Sequence, residues 1–444
     1  MAPEALARLN PWRGLAGLPR EAWILSAAAV VNKAGTMVLP FFVLYLTREA
    51  GLSAREASVY VLLYGAGSLV ASPFAGRFSD RVGPIRIMRA SLFLSGAILL
   101  AFPFVRGRAA IAVMTVALSV AAESFRPANL AIFGDLVRPE LRKAGFALNR
   151  LAVNLGMSIG PAVGGVLATI SFRWLFFADG ATAILAGLIL AASTFPPHRR
   201  SEHPSPVEEA VARRPARSAE RRRVPIRTVR VPRTAEWASE DALVTRAVNE
   251  HGGAAHLDRR LLLFLAAFFP VVVVFFQHIS SMPLYLVSDL KLSAAAYGLL
   301  FTVNTLMIVF LEVPFNLATL HWSHRRTLAL GASLCAIGFG TLAAAWNIWS
   351  VVATVVVWTV GEMLLFPEMA NYLTAIAPER RRGEYMGLAQ MMMGLAFTVG
   401  PWGGLQILAR FGGRALWIFM GAAGLASAAL LSRVVANLAA DRAN

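Results

Sequence analysis

The stretch Gly76-Arg77-Phe78-Ser79-Asp80-Arg81-Val82-Gly83-Pro84-Ile85-Arg86 stands between two long apolar runs, 54–76 and 85–105. Each run has the roughly 20 residues that a helix needs to cross about 30 Å of hydrocarbon. The residues between them suit an abrupt turn. Glycines at both ends let the chain reverse tightly, Asp80 can accept hydrogen bonds from the N–H groups that open a helix, and Pro84 fits a first helical position. A short turn between two membrane spans is expected here.

Similar runs lie at 22–46, 109–135, 144–170 and 173–195. After a hydrophilic stretch come 260–287, 294–320, 327–346, 350–376, 384–409 and 414–437. The predicted fold class is an all-α membrane protein with twelve transmembrane helices in two sets of six. Composition agrees: 57% hydrophobic and only 15% charged residues exclude an ordinary soluble globular protein. The run that follows the basic segment through Arg20 is too long for the core of a signal peptide and reads as a retained first span. Cys335, the single cysteine, rules out an intrachain disulfide.

Orientation follows from the arginines. Turns after even-numbered spans carry Arg77, Arg81, Arg86 and Arg89, then Arg138, Arg142 and Lys143, then Arg325 and Arg326, then Arg380, Arg381 and Arg382. Turns after odd-numbered spans carry fewer, which places both termini in the cytoplasm. The formal charge of +17 reflects this bias and the central segment, so no nucleic-acid partner is needed. Three units are expected: a six-helix bundle over 1–195, a linker over 196–258 that is mostly disordered, and a second bundle over 259–444. Arginines alternate with prolines in the linker, which has little to bury. It is either a solvated tether or a surface drawn to anionic lipid.

The halves repeat one another. Leu44-Tyr45-Leu46 with Leu52-Ser53-Ala54 recurs as Leu284-Tyr285-Leu286 with Leu292-Ser293-Ala294, an offset of 240. Pro73-Phe74 recurs as Pro314-Phe315, Pro139-Glu140 as Pro378-Glu379, and Gly160-Pro161 as Gly400-Pro401. Six spans per half means that both copies insert with the same orientation, as parallel repeats with a site between them near the midplane.

The Gly-x-x-x-Asp-Arg-x-Gly pattern at Gly76, Asp80, Arg81 and Gly83, set between spans 2 and 3 of a twelve-span chain, resembles the major facilitator superfamily. That resemblance implies transport by alternating access, with Asp80 and Arg81 holding the halves together on the cytoplasmic side when the site opens outward. Pro84-Ile85 stands where the family usually has basic residues, leaving Arg86 or Arg89 to complete the charge cluster. Gly156, Gly160, Pro161 and Gly164 in span 5 look like the motif of proton-driven efflux members, although its repeat at Gly400–Gly404 is equally a packing device. Span 4 departs from those members, because Arg126 is followed by Pro127, Ala128 and Asn129 rather than by glycines.

Span 4 also carries Glu123-Ser124-Phe125-Arg126-Pro127. A charge near mid-membrane costs roughly 2.5 to 3.5 kcal/mol. Three apart on a helix, Glu123 and Arg126 share a face and can pair, while Pro127 frees the carbonyl of Glu123. Glu123 is expected to be the coupling acid and Arg126 its switchable partner or an anion contact, the alternative being a permanent ion pair. Other polar residues inside spans are Asn32, Lys33, Asp179, Gln277, His278, Asn304, Glu312, Glu362, Glu368 and Asn371. Lys33 faces Glu123 or a substrate carboxylate, unless it is satisfied locally. Asp179 is either deep enough for coupling or a packing residue, and His278 is a proton relay or a hydrogen-bonded structural group.

No phosphate-binding loop, metal-ligand cluster or hydrolase motif is present. The expectation is a monomeric secondary transporter of the bacterial cytoplasmic membrane, with no cofactor and no enzymatic step, that moves a small organic molecule outward against protons. Proton-coupled uptake of a peptide, sugar or organic acid is the alternative. A membrane sensor or scaffold that has kept the fold is a third reading.

Overall fold

The computed structural model describes residues 17–138, 141–195, 258–319, 321–378 and 381–440. The linker expected over 196–258 lies outside these residues apart from Asp258, as do Pro139, Glu140 and Glu379 of the repeat. The described residues form twelve apolar spans. Span 1 is Arg20–Ala34 plus Val38–Arg48, span 2 Ala54–Val82 and span 3 Pro84–Ala101. Span 4 is Arg108–Glu123 plus Phe125–Leu136, span 5 Arg142–Ile170 and span 6 Phe172–Ala191. Span 7 is Arg259–Phe275 plus Ser281–Ser288, span 8 Ala294–Ala318, span 9 His324–Gly340 and span 10 Ile348–Ile376. The last helix, Arg382–Ala440, turns at Gly412 (φ 80°), which separates spans 11 and 12.

Local chemistry explains where spans begin. Gly83, with φ 93°, ends span 2 and opens span 3, and Pro84 takes the first helical position. Ser53 caps span 2 in a reciprocal pair with Glu56, and its repeat partner Ser293 caps span 8 through the amide of Ala296. Large apolar side chains such as Val113, Ile170 and Phe310 are 68%, 68% and 69% exposed. In water these would be unfavourable patches, whereas hydrocarbon satisfies them.

The halves share an apolar core at one face. Around the turns after odd-numbered spans, one apolar core takes Phe41, Leu44 and Leu46 from the first half and Met282, Leu286 and Tyr297 from the second. At the arginine-rich face each half keeps its own core, one around Leu25, Met88 and Phe133 and the other around Phe264, Leu328 and Tyr372. Spans 2 and 11 illustrate the splay. A Cβ added to Gly65 would stand 2.6 Å from the Cα of Thr398, yet one added to Gly76, Gly383 or Gly387 would meet nothing within 4 Å. Spans 5 and 8 stay in contact over a longer distance. Gly298 lies against the Pro161 carbonyl, Thr302 donates to the carbonyl of Ser158 at 2.8 Å, and the series runs on to Arg150 and Glu312. The molecule is therefore a pair of bundles closed at one face and parted at the other.

Candidate functional site

Both halves break the span that opens them, and both breaks are stitched by a side chain. In span 1 the helix stops at Ala34 and resumes at Val38. The amides of Met37 and Val38 donate to Oδ2 of Asp179 in span 6, at 3.1 and 2.9 Å. A carboxylate at the start of a helix satisfies orphan N–H groups and sits at the positive end of the dipole. Asp179, one of the candidate coupling residues, thus holds the second segment of span 1 through one carboxylate oxygen. In span 7 the stitch is Gln277, which donates to the carbonyls of Gly400 at 2.8 Å and Val273 at 3.0 Å and accepts from Ser281 at 2.8 Å.

The span 5 glycines serve the first break. A Cβ on Gly156 would stand 2.5 Å from Cβ of Lys33, one on Gly160 2.9 Å from the Lys33 carbonyl, and one on Gly164 2.9 Å from Cβ of Met37. Pro161 faces the other way, toward Gly298 of the second half. Asn32 and Lys33 are half-buried beside this contact.

Span 4 separates into two segments at Ser124, between Glu123 and Arg126. The expected ion pair is not made: among the described residues no salt bridge joins them. Glu123 is half-buried and accepts from the hydroxyl of Tyr64 in span 2 at 3.4 Å, while Arg126 is exposed. Span 10 carries Pro367 at the repeat position but runs unbroken.

A different ion pair joins the two halves. Arg150 of span 5 bonds Oε1 of Glu312 in span 8, with side chains 59% and 9% exposed. Glu362 of span 10 lies within electrostatic reach of both. Its Oε2 accepts from Asn304 at 2.9 Å, and Asn304 also donates to the hydroxyl of Thr359 at 3.0 Å. One guanidinium from the first half thus confronts two carboxylates of the second. Arg150 was missed in the sequence although the same signal marked it, a charge inside an apolar run; Tyr64 left no signal of its own.

His278 lies at the span 7 break. Its Nδ1 is 2.6 Å from the carbonyl of Phe275, and its ring sits among Phe275, Phe276, Phe301 and Trp358. With Tyr297 and Asn304 it lines a small cavity.

At the arginine-rich face Arg81 and Arg86 are exposed and Gly76 is open on its Cβ side. The side chain of Asp80 lies outside the described set. Arg89 caps the end of span 6, donating to the carbonyls of Leu190 and Ser193. Asn371 is exposed and donates to Glu368 at 3.3 Å, which in turn pairs with His324. That cluster belongs to the second half alone and stands apart from Arg150, Glu312 and Glu362.

The family model described as Major Facilitator Superfamily matches residues 24–287 and again 262–441. An uncharacterized MFS-type transporter of Bacillus subtilis (strain 168), YqjV, is 24% identical over 89% of this chain and 88% of its own length. The Na(+), Li(+), K(+)/H(+) antiporter of Planococcus maritimus is 22% identical over 84% of this chain and 85% of its own. Among solved structures, that of peptide transporter POT superposes with a TM-score of 0.74 at 18% identity over 98% of both chains, a likeness of fold.

Proposed function

The chain belongs to the Major Facilitator Superfamily, and from that premise we propose that it exports a small organic molecule across a bacterial cytoplasmic membrane in exchange for protons. The arginine-rich face is then cytoplasmic, and the structure is the inward-open state of an alternating-access cycle. A shared apolar core at the opposite face, with separate cores at the arginine-rich one, supports that state. The similarity to a cation/H(+) antiporter over most of the chain supports exchange.

The observation that carries proton coupling is the ion pair between Arg150 and Glu312, which spans the moving interface. A carboxylate in a medium of low dielectric is stable as an anion only while a partner holds it. Rocking the halves changes that partnership, so occupancy by a proton and conformation become linked in both directions. Glu362 shares the same field, and Glu123 supplies a carboxylate in the first half that accepts from Tyr64 of its own bundle. In this reading Glu123 and Glu312 are the proton-carrying groups, one in each half.

The test begins with a compound found by screening a deletion strain for altered growth and uptake. Its flux is then measured in proteoliposomes under an imposed pH gradient, and in counterflow without one. Glu312→Gln and Glu123→Gln are each expected to lose at least tenfold in gradient-driven flux while retaining counterflow. Full gradient-driven flux in both variants would remove the proton reading. Flux in the same direction as the protons would replace export by uptake.

A further inference from the structure

At the face where the halves share a core, a cleft of about 430 Å³ opens between them, with five lining residues from each half. Arg48 at the end of span 1, Thr169 in the last turn of span 5 and Phe172 at the start of span 6 belong to one wall. Val287 near the end of span 7, with Lys291 and Leu292 in the turn before span 8, belongs to the other. Both charged members are cations, one from each half. Asp289 lies within electrostatic reach of Lys291 but does not line the cleft. Among the described residues neither Arg48 nor Lys291 forms a salt bridge. The Arg48 guanidinium reaches the carbonyl of Val287 across the halves at 3.5 Å, the outer limit of a hydrogen bond, and the Lys291 ammonium donates to the carbonyl of Ser288 at 2.6 Å. A guanidinium carries five N–H groups and an ammonium three, so both keep donors to spare.

Lys291 also has an unusual backbone. With φ 56° it is the one non-glycine residue of positive φ among the described residues, and Gly51, its equivalent 240 residues earlier, has φ 67°. Glycine takes that conformation freely, whereas a Cβ meets a steric cost there. What the second half gains over the first at this position is a positive charge in the cleft. Lipid-facing surface adjoins both walls: Val166 and Ile170, beside Thr169, and Leu299 of span 8 are 51%, 68% and 56% exposed. Apolar Phe172, Val287 and Leu292 lie next to the two cations. A bare ion uses only the charges, while a lipid uses both parts, because glycerol and acyl carbons follow its phosphate. We propose that this cleft seats the headgroup of an anionic phospholipid, with its phosphate between Arg48 of one half and Lys291 of the other.

The test uses the full chain in nanodiscs of phosphatidylcholine, of phosphatidylcholine with phosphatidylglycerol, and of phosphatidylcholine with inorganic phosphate in the buffer. Thr169→Cys reports occupancy through its rate of reaction with a water-soluble maleimide, and the native Cys335 is buried and gives little background. Trp346→Cys, at a position 76% exposed at the same face and outside the cleft, reports the general effect of surface charge. Phosphatidylglycerol is expected to slow Thr169→Cys several-fold more than Trp346→Cys, and inorganic phosphate is expected to slow neither. Lys291→Gly removes the cation and relaxes the backbone, so it is expected to fold and to bring the slowing at Thr169→Cys down to that of the control. Arg48→Gln is expected to do the same from the other wall. Comparing lipids within each variant cancels any effect of the substitution on the thiol itself. Equal slowing at the two cysteines, no reaction of Thr169→Cys in phosphatidylcholine alone, or slowing that survives in both cation variants overturns the site. Protection by inorganic phosphate as strong as that by the lipid makes this a site for a free ion and overturns the lipid. No transport is measured, so the result stands apart from the exchange reading.

Discussion

At the scale of single residues, Asp179 and Arg150 show how differently two membrane charges are held. Asp179 is an acid whose oxygen is taken by two amides of span 1. Removing it in Asp179→Ala is expected to lower stability by about 1–2 kcal/mol, the effect of losing a helix cap, with Asp179→Asn intermediate and proton stoichiometry unchanged. Thermal unfolding in detergent, alongside proton flux, checks both parts. Arg150 meets Glu312 across the halves while remaining 59% exposed. Solvent screens such a pair, so Arg150→Ala is expected to destabilise by only about 1–2 kcal/mol. Glu312→Gln in the same chain should relieve part of that loss, and a double-mutant cycle reads the coupling directly. The sequence exposed every charge involved, but not the partners. Glu123 and Arg126 read as a pair because they share a helical face, whereas the fold offers Glu123 the hydroxyl of Tyr64 and leaves Arg126 in an exposed position. Partner choice depends on side chains tens to hundreds of residues away, which periodicity does not encode.

At the scale of elements, the turn at Gly83-Pro84 and the caps at Ser53 and Ser293 follow local rules, and the sequence displays them openly. The breaks in spans 1 and 7 do not. Each needs a stitch, Asp179 for one and Gln277 for the other, and the stitch for span 1 comes from 141 or 142 residues away. The glycines of span 5 were legible as a close-packing motif, but their use against two different helices appears only in three dimensions. That division of labour gives a prediction. Gly298→Ala would place a Cβ 2.2 Å from the Pro161 carbonyl, a backbone obstacle in the contact between spans 5 and 8. The variant is expected to loosen the closed face. A cysteine introduced at Val287, 4% exposed in the native packing, should then react with maleimide several-fold faster. An unchanged rate would mean that the contact yields without parting the halves.

At the scale of the whole molecule, the repeat that runs through the sequence at an offset of 240 also supplies the means of testing how the halves move. Arg86 and Arg326 occupy equivalent positions at the arginine-rich ends of spans 3 and 9, and Arg106 and Trp346 at the opposite ends; all four are exposed. Twelve spans and parallel halves were readable because each span repeats one hydrophobic rule. The state in which the halves stand was not, because it depends on which of two faces buries more surface between them. Exchange of substrate for protons requires reciprocal motion of two bundles linked to protonation. Double electron–electron resonance between spin labels at Arg86 and Arg326, and separately at Arg106 and Trp346, in nanodiscs from pH 5 to pH 9, tests it most directly. The two distance distributions are expected to shift in opposite senses with pH, one pair closing as the other opens, and Glu312→Gln is expected to abolish the dependence. Distances that stay fixed across the range, or that lengthen and shorten together at both faces, would contradict it.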